Sequence, residues 1–306
     1  MIIRIIVLFT LSIFLYSFYI RFFKRARQYE REEGLDSHKS KNGTVTMGGI
    51  IFAILPLFFL YYNEKIFTIV VTLFMYFLIG LVDDLLIIIK KNNLGIPPTL
   101  KLFLEVLIAG FAFYMMMRNN MSTVLDLKFI KIDIKWIYGL LILFILAASS
   151  NSFNLADGVD GLCAGMSLII HITFMIISFN KGEYDILWLL AATLIPLFVF
   201  WCLNYPKAFL FMGDTGSLFL GSLYGIVAIY LNSILAFIIL AIPFIIEALS
   251  VIIQVWYYKK TKRRIFKMAP IHHHLEMCGF SEFKIDLLFY GAELLLMGIV
   301  LMFGLY

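Results

Sequence analysis

Five stretches of this 306-residue chain carry the side chains that could do chemistry. Asp83 and Asp84 stand together in LIGLVDDLL, where an apolar run ends. Adjacent carboxylates repel each other and cost desolvation, so the pair suits a metal ligand or a general base. The segment 151–162 reads NSFNLADGVDGL and places Asn154, Asp157 and Asp160 among Gly158 and Gly161. Glycines there let backbone approach a ligand closely. On a helical turn Asp157 and Asp160, three apart, would share a face. The acidic spacing is not that of a calcium loop.

The segment FMGDTGS (211–217) opens an apolar run. A Gly-rich turn at a helix start offers free N–H groups and the positive end of the dipole, which favours an anion. Asp214 in that turn would repel a phosphate. A divalent cation between Asp214 and a diphosphate removes the conflict, and Mg²⁺ is the cation that such oxygen donors suit. No GxxxxGK[ST] occurs, so ATP hydrolysis has no support.

FKMAPIHHHLE carries His272, His273 and His274. Successive residues on a helix point about 100° apart, so the three cannot face one ligand, and zinc is a poor reading. Imidazoles on phosphate oxygens, in a loop rich in Lys and Arg, fit better. SHKSKNGTVTMGG (37–49) joins a basic loop, with Lys41, to a Gly pair. His171 stands alone in an apolar run and reads as a packed core residue. Glu105, Glu247 and Glu293 lie in or near apolar runs without an assigned role. Cys163, Cys202 and Cys278 show no paired spacing.

The elements that must position these groups are membrane helices. The chain is 62% apolar and 15% charged, with a mean hydropathy of +0.95. A soluble domain is about 45–50% apolar, so soluble, disordered and disulfide-stapled classes are excluded. Long continuous apolar runs exclude a β-barrel. They fall near 2–22, 48–62, 66–82, 99–117, 136–153, 163–179, 186–203, 217–231, 234–256 and 285–305. The expectation is an all-α, polytopic integral membrane protein of about ten transmembrane helices. Residues 1–306 form a single domain. The 118–135 loop alternates in polarity and reads as an amphipathic hairpin.

Segments after the odd-numbered runs hold 18 of the 25 Lys and Arg residues. The positive-inside rule places them in the cytosol and both termini outside. All five chemically unusual stretches then share the cytosolic face. The net charge of +5 reads as topology and lipid contact, not nucleic acid.

Together SHKSKNGTVTMGG, LVDDLL, NLADGVDGL, FMGDTGSL and IFKMAPIHHHLE resemble, in order and over nearly the whole chain, the polyprenyl-phosphate N-acetylhexosamine-1-phosphate transferases. The MAPIHHH run is similar to the branch that uses UDP-MurNAc-pentapeptide. That resemblance implies a multi-pass enzyme of the bacterial plasma membrane. It implies transfer of phospho-MurNAc-pentapeptide from UDP-MurNAc-pentapeptide to undecaprenyl phosphate, giving lipid I and UMP, with Mg²⁺ as cofactor. By motif position it makes Asp214 the Mg²⁺ ligand, Asp83 the base at the lipid phosphate, and Asp84 a support for metal or phosphates. Asn154, Asp157, Gly158, Val159 and Asp160 would line the nucleoside pocket, with Phe211 stacked on uracil. Lys41, His272 and His273 would contact the nucleotide sugar or its diphosphate. His272 is also carried as a catalytic residue, and His274 as a substrate contact. A homodimer is a further expectation.

The chain departs from the family at Ile87, where many relatives have Lys, at Thr99, and at Val45 in place of a common Pro. Lys90, Lys91 and Lys101 are the lysines that could compensate. The competing expectations are a sister transferase using UDP-GlcNAc for another surface glycan, and a transporter or channel with intramembrane acids. A transporter would carry charges mid-span on several helices, whereas these acids gather at one face.

Overall fold

The computed structural model describes residues 2–23, 43–91 and 95–306. Its long helices are α1 (Ile2–Phe22), α3 (Glu64–Lys90), α4 (Pro98–Arg118), α5 (Ile137–Ala156), α6 (Leu162–Asn180), α7 (Tyr184–Asn204), α8 (Gly213–Tyr230), α10 (Ile242–Thr261) and α12 (Glu282–Met302). Shorter pieces are α2 (Gly49–Ile54), α9 (Ile234–Leu240) and α11 (Ile271–Met277). Among the described residues, eight helices are long and apolar enough to cross a bilayer. Gly49–Phe59 is a shorter apolar helical segment and α8 is buried in the centre, and together these helices form an all-α polytopic bundle.

Three apolar runs break or extend. The run at 48–62 is not one helix: α2 passes into a 3-10 turn at Leu55–Phe59, with Pro56 at its start, and then into extended chain. The run at 234–256 divides at Ala241, with Pro243 in the first turn of α10. The run at 66–82 continues to Lys90, because Leu85, Leu86, Ile87, Ile88 and Ile89 keep the helix apolar. Asp83 and Asp84 therefore sit inside α3 rather than at its end.

The 118–135 loop is a hairpin, as its alternation predicts. β1 (Val124–Asp126) pairs antiparallel with β2 (Lys131–Asp133), with Leu125 opposite Ile132. Asn232 ties β1 to the end of α8, its amide donating to Val124 O and its Oδ1 accepting from the Asp126 N–H.

The centre of the bundle is α8, whose side chains from Thr215 to Ile229 are all buried. A helix apolar all round belongs in a core. Its small residues let neighbours come close: a Cβ at Gly221 would strike the Ser149 backbone of α5, and one at Gly216 would strike Met212, Phe52 and the Gly49 backbone of α2. From α3, a Cβ at Gly80 would meet the Asp214 and Thr215 backbone. His171 is buried in α6, with Nδ1 3.1 Å from the Tyr224 hydroxyl and Nε2 2.7 Å from Leu190 O, a packed core residue as expected.

The two ends of the bundle are distinct. At one end the Arg4 guanidinium lies over the Tyr61 ring, Lys65 pairs with Glu183, and the Asn180 amide donates to the Tyr306 hydroxyl. The start of α1 and the end of α12 thus share this end. The opposite end gathers the C-terminal ends of α3, α5, α7 and α10 and the N-terminal ends of α2, α4, α6, α8 and α12. The basic loop after α10 identifies it as the cytosolic end.

Candidate active site

At the cytosolic end, α8 begins with Gly213, Asp214 and Thr215. The anion at its N-terminus comes from the chain itself. Asp84 accepts from the Asp214 N–H (3.1 Å), the Thr215 N–H (2.9 Å) and the Thr215 hydroxyl (2.5 Å). This corrects the expectation that the N–H groups of the turn are free for an outside anion. The first N–H groups of α8 are engaged by a carboxylate from α3, which fixes where Asp214 starts.

Asp214 then projects between two donors. Lys101 Nζ, from the first turns of α4, lies 2.6 Å from Oδ2. Asn154 Nδ2, from the last turn of α5, donates to Oδ1 at 2.7 Å and to Ser217 Oγ at 3.0 Å. Lys101 and Asp214 keep only 13% and 24% of their side-chain surface exposed, so the pair is shielded yet reachable. Asp83 sits within hydrogen-bonding reach of Asp214 and accepts from the Ile96 N–H at 2.8 Å. A Cβ at Gly95 would run into the Asp83 carboxylate, so glycine is what lets that loop close over it. Among the candidate compensating lysines, Lys101 reaches the acidic centre.

Asp157 follows the end of α5. Burial, then the nearby Asp214, Asp84 and Asp160 carboxylates, push its carboxyl up to about 8. Asp157 and Asp160 do not share a helical face, because α5 ends at Ala156 and a turn intervenes. Asp160 instead accepts from the Ala208 N–H at 2.9 Å, and its neighbour Gly161 donates to Asn204 Oδ1 at 2.8 Å. Gly161 takes φ +84°, a conformation that glycine adopts without strain. Val159 is buried. Phe211 is half-buried, and its backbone pairs with the 43–48 loop: its N–H donates to Val45 O and its carbonyl accepts from the Gly48 N–H.

The three histidines separate as helical geometry requires. His272 is fully buried, its N–H 3.2 Å from Glu247 Oε1 and its Nδ1 3.2 Å from Glu247 Oε2. Among the described residues neither of its ring nitrogens has an aligned hydrogen-bond partner, and a Cβ at Gly158 would strike its Nε2. Position 158 is thus open to backbone only, which docks α11 onto the 151–162 turn. His273 Nδ1 lies 2.7 Å from Glu276 Oε2. His274 Nδ1 accepts from the Lys267 N–H at 3.1 Å and helps fold the basic loop over α11. Lys41 lies outside the described residues.

Asp83 and Asp214 offer converging carboxylate oxygens. Among the described residues no group of three or more His, Cys, Asp or Glu side chains is arranged to hold a metal. One or two carboxylates completed by water and substrate phosphate is the usual manner of holding Mg²⁺, so the donor set fits that ion.

Sequence reasoning did not anticipate Asn151, Ser217 or Thr215, and left Glu105 and Glu247 without roles. Spacing carried a faint signal, since Lys101 and Glu105 are four apart and Asn151 and Asn154 three apart, each pair on one helical face.

The family model for glycosyl transferase family 4 matches residues 66–232, more than half of the chain, including Asp83, Lys101, Asn154, Asp157 and Asp214. A protein of Enterococcus faecalis named phospho-N-acetylmuramoyl-pentapeptide-transferase is 36% identical over 98% of this chain and 97% of its own length. Proteins of the same name from Geobacillus kaustophilus and Enterococcus hirae are 37% and 38% identical, over 96% and 92% of this chain and 94% and 90% of their own. With its acidic centre inside the matched segment and full-length similarity on either side, the chain belongs to glycosyl transferase family 4, among the phospho-N-acetylmuramoyl-pentapeptide-transferases.

Proposed function

We propose that the protein transfers phospho-MurNAc-pentapeptide from UDP-MurNAc-pentapeptide to undecaprenyl phosphate, giving lipid I and UMP. The carrying observation is Asp214, held by Lys101 and Asn154 and faced by Asp83, at the cytosolic end of a membrane bundle. A lipid phosphate in the inner leaflet and a soluble nucleotide can both reach that place. The names of the relatives supply the sugar and the peptide.

In the reaction a carrier phosphate oxygen bonds to the phosphorus that bears the sugar. The bond from that phosphorus to the bridging oxygen breaks, and UMP leaves with that oxygen and the electron pair. Such transfers depend on positioning and charge neutralisation more than on covalent catalysis. Asp214, with Asp83 beside it, would hold Mg²⁺, which neutralises the diphosphate and improves UMP as a leaving group. Asp83 orients the carrier phosphate and takes its proton when it carries one. Lys101 brings positive charge to the centre. The turn 154–160 and Phe211 receive the uridine. His273 would meet the diphosphate or sugar, and His272, buried between Gly158 and Glu247, would act there through the 154–160 turn that it packs on. Asp84 acts by holding the start of α8.

This reading places the protein in the bacterial plasma membrane and carries a homodimer as its assembly, which the mass of the detergent-solubilised particle tests. The reaction itself is tested by incubating purified protein with both substrates and Mg²⁺ and weighing the lipid product. A polyprenyl diphosphate bearing MurNAc-pentapeptide supports the reading, and unchanged undecaprenyl phosphate overturns it.

A further inference from the structure

Glu105 is a fully buried charged group beside the site. It lies in α4, one helical turn beyond Lys101, with no exposed surface. Its Oε2 accepts from Asn151 Nδ2 at 2.7 Å, and Ser150 Oγ lies 3.5 Å from Oε1. Asn151 is three residues before Asn154 in the last turns of α5. Lys101 feels Glu105 as well as Asp214 and Asp83. Glu105 therefore stands next to residues on both sides of Asp214: Lys101 lies one turn before it in α4, and its partner Asn151 lies one turn before Asn154 in α5.

A fully buried carboxylate is expensive, and filling space between α4 and α5 does not require one. What a carboxylate adds is direction. As a carboxylate it only accepts hydrogen bonds, so together with Ala147 O, which the same amide reaches at 2.9 Å, it holds the Asn151 NH₂ in one orientation. It also places a fixed negative charge behind Lys101 at i, i+4 spacing. An amide at position 105 could donate or accept and would supply neither constraint.

We propose that Glu105 is a positioning residue of this site: it orients Asn151 and holds Lys101 from behind, so that the two donors to Asp214 keep their geometry. The inference rests on the phosphotransferase reading above and concerns how its central carboxylate is held.

The test compares wild type, Glu105→Gln, Asn151→Asp and the double variant Glu105→Gln/Asn151→Asp, by UMP release with UDP-MurNAc-pentapeptide, undecaprenyl phosphate and Mg²⁺. Glu105→Gln keeps the side-chain volume. Its kcat is expected to fall about tenfold, with KM for the nucleotide within about twofold and the melting temperature nearly unchanged. The double variant moves the carboxylate across the same hydrogen bond and is expected to recover kcat to within about threefold of wild type. A packing role would not produce that recovery. Full kcat in Glu105→Gln, or a folded double variant no better than Glu105→Gln, overturns the proposal. Should the double variant not fold, Asn151→Ala reads the same link from α5: a loss of about tenfold supports it and full kcat overturns it. Wild-type protein that releases no UMP overturns the functional reading itself, and this inference with it.

Discussion

Asp84 of α3 accepts both the backbone N–H (2.9 Å) and the hydroxyl (2.5 Å) of Thr215 in α8. The contact separates the two members of an adjacent aspartate pair. Asp84 turns to the helix start and Asp83 turns to Asp214. Asp84 shapes the site, and Asp83 faces its acidic centre, where the proposed reading puts the carrier phosphate. Asp84→Ala should therefore cost about 2 kcal/mol of stability, because it removes a buried, charge-assisted cap. Asp83→Asn should leave the melting temperature nearly unchanged and still lose turnover by orders of magnitude. Thermal unfolding in detergent beside a turnover assay checks both. Equal stability losses in the two variants would contradict the division of roles.

Gly80 sets the distance between α3 and α8, since a Cβ there would meet the Asp214 and Thr215 backbone. Backbone cannot yield as a flexible side chain does. Gly80→Ala is expected to destabilise by about 1–3 kcal/mol and to lower kcat by displacing Asp214. Gly110, where a Cβ would meet no neighbouring element within 4 Å among the described residues, is the control: Gly110→Ala should leave kcat unchanged and not destabilise.

The carboxyl of Asp157 is held up to about 8 by burial and by its acidic neighbours. In the unfolded chain an aspartate ionises near pH 4. Between these values the folded state binds the extra proton, so stability falls as pH rises through that window. Asp157→Asn removes this dependence. The difference in melting temperature, variant minus wild type, should grow from pH 5 to pH 9 in metal-free buffer. A constant difference would contradict the placement of Asp157.

Much of this architecture was legible in the sequence, and the exceptions have physical causes. Apolar runs, loop charge and the alternation at 118–135 led to the bundle, its orientation and the hairpin. The end of α3 was misplaced because Asp83 and Asp84 read as a boundary, although the apolar stretch at 85–89 carries the helix past them. The break after α2 was hidden because Pro56 lies within a uniformly apolar run. In the site, Asp83, Asn154 and Asp214 were identifiable by type and motif. The contacts of Asp84, Lys101 and Glu105 were not. Each depends on which helix lies opposite, and that follows from small residues such as Gly80, Gly216 and Gly221 rather than from any local pattern.

A Mg²⁺ requirement is what the proposed reading of the Asp83 and Asp214 carboxylates expects. EDTA should abolish turnover and added Mg²⁺ should restore it. Asp214→Asn should stay inactive at any Mg²⁺ concentration while folding normally. Turnover that persists in EDTA would contradict the placement of the ion at Asp214.

The most direct test is UMP release by purified protein with undecaprenyl phosphate and Mg²⁺, supplied separately with UDP-MurNAc-pentapeptide and with UDP-GlcNAc, alongside Asp214→Asn. The account predicts release with the pentapeptide nucleotide alone, lost in Asp214→Asn. Release with UDP-GlcNAc alone, or undiminished release by a folded Asp214→Asn protein, would contradict it.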